Sequence, residues 1–136
     1  MIVYKQGNQN KINLTQQMYI AKGGQAEIYG NGSTIYKIYL KKDEAIPESK
    51  INELHCLDKP NILNPQDILI NSKKEIIGFT MNRIENSLPL CKLFTNEIWR
   101  RFSIQIETIA KLINTLRETT SFIHKNKCLI VDGNEL

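Results

Sequence analysis

Two stretches of this sequence carry residue types at spacings suited to chemistry. The first is Lys22-Gly23-Gly24-Gln25-Ala26-Glu27-Ile28-Tyr29, which lies between two strand-like runs. Glycines in such a turn let the backbone approach a phosphate and aim N–H groups at it, although a Gly-Gly pair between strands is also a common plain turn. The second is Lys37, inside Ile35-Tyr36-Lys37-Ile38-Tyr39. On a strand, Ile35, Lys37 and Tyr39 share one face while Tyr36, Ile38 and Leu40 share the other. A lysine among apolar residues on its own face either guards a sheet edge or is a cation held for a ligand. The glycine turn one hairpin earlier favours the ligand.

The elements that must position these residues are short. Ile2-Val3-Tyr4 and Lys11-Ile12-Asn13-Leu14 flank a Gly7-Asn8 turn and read as a hairpin. Met18–Ala21, Ala26–Tyr29 and Ile35–Leu40 read as three further strands, the last two joined through Asn31-Gly32 as antiparallel neighbours. Pro47 then opens a helix with Ile51, Leu54 and Leu57 on one face, and Pro60 closes it. Asp67–Ile70 and Ile76–Met81 read as two more strands around a polar turn. Beyond Pro89, apolar residues from Trp99 to Ile123 recur at spacings of three, four and seven. A continuous helix from Glu97 to Lys125 would be roughly 40 Å long.

The 136 residues fit one domain able to bury a core. A net charge of +4 suits a phosphate-bearing ligand but is too small to imply nucleic acid. Cys56, Cys91 and Cys128 are odd in number and widely spaced, which excludes a disulfide framework or zinc motif and points to a reducing cytoplasm. The N-terminus lacks the pattern of a signal peptide. No apolar run approaches the roughly 20 residues of a membrane span.

Ala21 to Tyr29, followed by Tyr36-Lys37-Ile38-Tyr39, resembles the glycine-rich loop and strand lysine of protein kinases. In that frame Gly23 takes the central glycine position, Ala21 and Ala26 the outer ones, and Ile28 the valine position. Lys50–Leu54 and Asn61–Pro65 resemble the C-helix and the segment after it, which implies Glu53 as the partner of Lys37, with Glu48 as the alternative. Ile77–Ile84 resembles the strand that runs into the hinge, which implies Met81 as gatekeeper and Asn82 to Ile84 as adenine contacts. Phe122–Leu136 resembles the end of the E-helix and the catalytic loop, which implies Asp132 as the catalytic aspartate. The resemblance therefore implies Asp132, Lys37 and Glu53 in catalysis. It implies Gly23, Gly24, Ala26, Ile28, Lys37, Met81, Asn82 and Ile84 in nucleotide binding.

The fold so implied is α+β: a small antiparallel five-stranded sheet with one packed helix, an extra N-terminal hairpin, and a long amphipathic helix after them. The domains would be an extension over 1–17, a kinase-like lobe over 18–88, and an E-helix region over 89–136. The function implied is the ATP-binding lobe of a bacterial-type serine/threonine kinase, with ATP and Mg2+ bound in the complete protein. The sequence stops at Leu136, one residue before the family's metal-binding asparagine, so this chain alone is expected not to turn over ATP. A catalytically inactive kinase-like interaction module is the alternative. A small basic nucleic-acid binder stacking bases on Tyr19, Tyr29, Tyr36 and Tyr39 is more remote. The partners implied are a nucleotide, a protein substrate, and a second copy meeting the 97–125 helix through Trp99, Phe102, Ile106 and Ile113.

Overall fold

Alternation and tight turns build the first part of the chain strand by strand. The computed structural model describes residues 1–8 and 10–130. They belong to two compact units divided after Ile84. The first unit contains β1 (Ile2–Lys5), β2 (Lys11–Asn13), β3 (Tyr19–Lys22), β4 (Ala26–Asn31), β5 (Thr34–Tyr39), α1 (Glu48–Leu54), β6 (Ile68–Ile70) and β7 (Ile76–Asn82). Gly32, at φ 54°, is the first of two residues turning β4 into β5. Pro47 occupies the N-cap position of α1 with extended backbone.

All seven strands form one antiparallel sheet in the order β2-β1-β6-β7-β5-β4-β3. Strand β5, inside the sheet, is buried on both faces. Tyr36 and Ile38 join Val3, Leu14 and Leu69 in one apolar cluster. Tyr39 joins Ala26, Ile51, Ile68 and Phe79 in another. Ile51 is the buried anchor of α1, so this second cluster is where the helix meets the sheet. Between β6 and β7, Thr80 is fully buried and tied to Asp67, accepting from its backbone N–H at 3.0 Å and donating to its carboxylate at 3.2 Å.

The sheet corrects the expected fold class. The N-terminal hairpin is not an appendage to five strands: β1 pairs with β6 (Tyr4 opposite Ile70, Lys5 opposite Leu69), and the sheet curls into a seven-stranded half-barrel. Among the described residues there are three α-helices, one in the unit of the sheet and two in the other, rather than one packed helix and one long one. The physical reason is the edge of β6, whose hydrogen-bonding groups are taken up by β1 and by the Gln6 N–H donating to the Ile68 carbonyl at 3.0 Å. With that architecture the kinase-lobe resemblance fails, and with it the implied ATP-binding kinase lobe, its inactive interaction variant, and the transferase activity.

The second unit contains a 3₁₀ turn (Leu90–Phe94), α2 (Asn96–Arg101) and α3 (Ile106–Lys125). The expected continuous helix over 97–125 is therefore broken. At the break the Ile104 N–H donates to the Trp99 carbonyl and the Ser103 N–H to that of Arg100, with Ser103 in the left-handed region at φ 49°. These are the two bonds of a Schellman motif, which satisfies the last carbonyls of α2 and ends it. The same motif ends α3, with Lys127 at φ 59° and the Cys128 N–H donating to the Ile123 carbonyl at 3.2 Å. Ile106, Ile113 and Leu116 of α3 are exposed. Among the described residues, no helix is long and apolar enough to cross a membrane.

Candidate functional site

The turn between β3 and β4 is closed by the Gly23 N–H donating to the Ala26 carbonyl at 2.9 Å. The Leu40 N–H donates to the Gln25 carbonyl at 2.8 Å, which fixes the turn to the end of β5. Neither Gly23 nor Gly24 has positive φ, so backbone strain does not demand glycine at either. A Cβ at Gly24 would meet nothing within 4 Å, and one at Gly23 only the Ala26 carbonyl oxygen at 3.9 Å. The absent side chains leave space, and that space is part of a cavity of about 290 Å³ lined by Gly23, Gly24, Gln25, Ala26, Ile28 and Lys37. Among the described residues, the Gly24 and Gln25 N–H groups donate to no protein acceptor.

Lys37 reaches this cavity from β5. Pairing sets Ile28, Lys37, Phe79 and Ile68 in one row across four strands. The Lys37 ammonium lies 5.3 Å from the Tyr39 ring centroid and 5.6 Å from that of Phe79. Those rings meet edge to face, with centroids 6.2 Å apart. Cation–π attraction at such distances holds an ammonium without neutralising it. Among the described residues Lys37 has no carboxylate partner, whereas Lys5, Lys22, Lys41, Lys42 and Lys50 each have one.

The residues expected of the site are only partly gathered. Gly23, Gly24, Ala26, Ile28 and Lys37 line one cavity. Glu53 pairs instead with Lys50 of its own helix at 3.1 Å, and Glu48 accepts from Gln6 Nε2 at 3.0 Å. Met81 sits opposite Ile35 and packs on the second cluster. Asn82 lies opposite Thr34, three residues and roughly 10 Å along β5 from Lys37. Its side chain accepts from Gln66 Nε2 at 3.0 Å. Ile84 is exposed. Asp132 lies outside the described residues. Among the described residues, no group of three His, Cys, Asp or Glu side chains converges to hold a metal ion. Sequence reasoning missed Gln25 and Phe79; only the pairing of β5 with β7 puts Phe79 beside Lys37.

Beside the turn, the Glu27 carboxylate accepts from the Tyr29 hydroxyl at 2.9 Å and pairs with Lys22 at 3.4 Å. The Tyr29 bond, followed by Lys22, holds the Glu27 carboxyl below its ordinary value near 4.5. Burial, followed by Glu27, pushes the Tyr29 phenol up. A depressed carboxyl favours folding above the unfolded value, and that contribution fades as pH falls through the folded value. In Tyr29→Phe the Glu27 pKa will therefore rise toward 4.5 when followed by NMR through the side-chain carboxyl carbon. An unmoved titration would show that the hydroxyl does not hold the carboxylate.

Compared with known proteins, the chain matches no family model and no curated protein.

Proposed function

We propose that this chain is a binding module for a phosphate-bearing small molecule, a nucleotide or another phosphate ester, held between the 23–25 turn and Lys37. The observation that carries this reading is that one cavity is lined by Gly24 and Gln25, whose N–H groups have no protein acceptor among the described residues, and by Lys37, which has no carboxylate partner among them. Successive backbone N–H groups form an anion-binding concavity, and a lysine adds a point charge to it. The aromatic pair under Lys37 supports the reading because it holds the ammonium in place without consuming its charge. The proposal is of binding alone, with no phosphoryl transfer.

Titration of the isotope-labelled chain with inorganic pyrophosphate will shift the Gly24 and Gln25 amide resonances saturably. Lys37→Met will weaken the affinity by about tenfold, the effect of losing one charge-assisted contact worth ~1.4 kcal/mol. Absence of saturable shifts at the turn, or an unchanged affinity in Lys37→Met, would overturn the reading.

A further inference from the structure

A second cavity, of about 340 Å³, lies further along the strand order, where β1 meets β6 and the turn into β7. It is lined by Tyr4, Gln6, Ile70, Asn71, Ser72 and Lys74. Tyr4 and Ile70 are directly opposed across the strand pair and are both half-buried, so a ring and a branched aliphatic chain stand side by side. The polar groups around them are of two kinds. Some are committed to the protein: Gln6 Nε2 donates to Glu48, and Asn71 Oδ1 accepts from the N–H groups of Lys73 (2.8 Å) and Glu75 (3.1 Å). Others have no protein partner among the described residues: the Tyr4 hydroxyl, the Ser72 hydroxyl and the Lys74 ammonium.

The turn is built so that Lys74 stays unneutralised. The nearby carboxylate, Glu75, gives one oxygen to Lys42 at 2.6 Å and the other to Asn71 Nδ2 at 2.9 Å. Lys74 itself is in the left-handed region at φ 60°, where glycine or asparagine would be unstrained, yet a lysine stands there. One cation and two hydroxyl donors around an apolar floor select an anion attached to an apolar body, and the volume fits a single-ring molecule.

We propose that this cavity binds a small carboxylate with a flat apolar body, its carboxylate on Lys74 with Ser72 and Tyr4, its body on Ile70 and the Tyr4 ring. The site is separate from the Lys37 cavity: β7 lies between β6, which helps build the one, and β5, which carries Lys37 into the other.

The test is NMR titration of the full chain with benzoate, alongside benzamide as the uncharged analogue and inorganic phosphate as the anion without a body. Benzoate will shift the Tyr4, Ile70 and Ser72 amide signals saturably, with Kd on the order of 1 mM for so small a molecule. Benzamide and phosphate will each bind about fivefold more weakly or worse, and Lys74→Gly will weaken benzoate by a similar factor. Glycine accepts φ 60° without strain, so Lys74→Gly keeps the turn and tests the charge alone. Lys73→Ala, outside the lining, will leave benzoate affinity unchanged. No saturable shift at these residues, phosphate binding as tightly as benzoate, or full benzoate affinity in Lys74→Gly would each overturn the proposal.

Discussion

Gly78→Ala will destabilise the first unit by about 3 kcal/mol or more, the upper range of overpacking a close contact. A Cβ at Gly78 would lie 2.0 Å from the Lys37 carbonyl oxygen, 3.0 Å from the Lys37 carbonyl carbon and 3.2 Å from the Ile38 Cα. All three atoms are backbone, so no rotamer change relieves the overlap. Only separation of β5 from β7 does, and these strands are paired from Thr34–Asn82 to Ile38–Gly78 in the middle of the sheet. The damage falls on the stretch that carries Lys37, so the pyrophosphate response at the turn should fade together with the fold. Urea denaturation read by far-UV circular dichroism measures the effect as a fall in midpoint. Gly24→Ala is the control: its Cβ meets nothing within 4 Å, and its stability should stay within about 0.5 kcal/mol. A wild-type midpoint in Gly78→Ala would mean that the backbone approach between β5 and β7 is not as close as described.

Ile51→Ala will cost about 2–5 kcal/mol, the range for emptying a buried aliphatic site. Ile51 is 0% exposed and is the one buried residue of α1. A seven-residue helix is well below the length at which helices persist alone, so α1 depends on what it buries. Ile51 packs in the cluster with Ala26, Tyr39, Ile68 and Phe79. Removing its side chain withdraws support from the two rings under Lys37 as well as from the helix. Amide hydrogen exchange should therefore accelerate across α1 in the variant, alongside the fall in denaturation midpoint. Glu53→Ala, on the exposed side of the same helix, should shift stability by less than about 0.5 kcal/mol. Unchanged α1 protection in Ile51→Ala would show that the helix is held by something other than this contact.

Much of the local structure was legible before any fold was known. The apolar alternation through Ile35–Leu40 places Lys37 on the face of Tyr39, and Gly32 supplies the turn that folds β4 onto β5. Pro47 and Ile51 announce α1 and its buried side, but the helix stops at Leu54 instead of running to Pro60, so Leu57, also buried, lies beyond it. These features are legible because they depend on residues within a few positions of each other. Half of the proposed phosphate cavity follows from them, since the glycine turn and Lys37 are one hairpin apart.

Tertiary structure decided the rest. The extension of the sheet to seven strands depends on β1 finding β6, more than sixty positions away in sequence, by matching hydrogen-bonding groups that no local pattern reveals. That pairing removed the five-stranded lobe and the kinase reading built on it, and it also created the cavity around Tyr4 and Lys74. Phe79 reached Lys37 only through the β5–β7 register, and Glu53 pairs with Lys50 on its own helix. The break between α2 and α3 lies inside an unbroken apolar rhythm because Ser103, not glycine, takes the left-handed position. The sequence by itself determined which segments are extended or helical and which face of each is apolar, but not that α1 stops at Leu54 or that the last helix breaks at Ser103. Only the tertiary structure decided which edges meet, because strand pairing is settled by backbone groups, and these are the same at every position except proline.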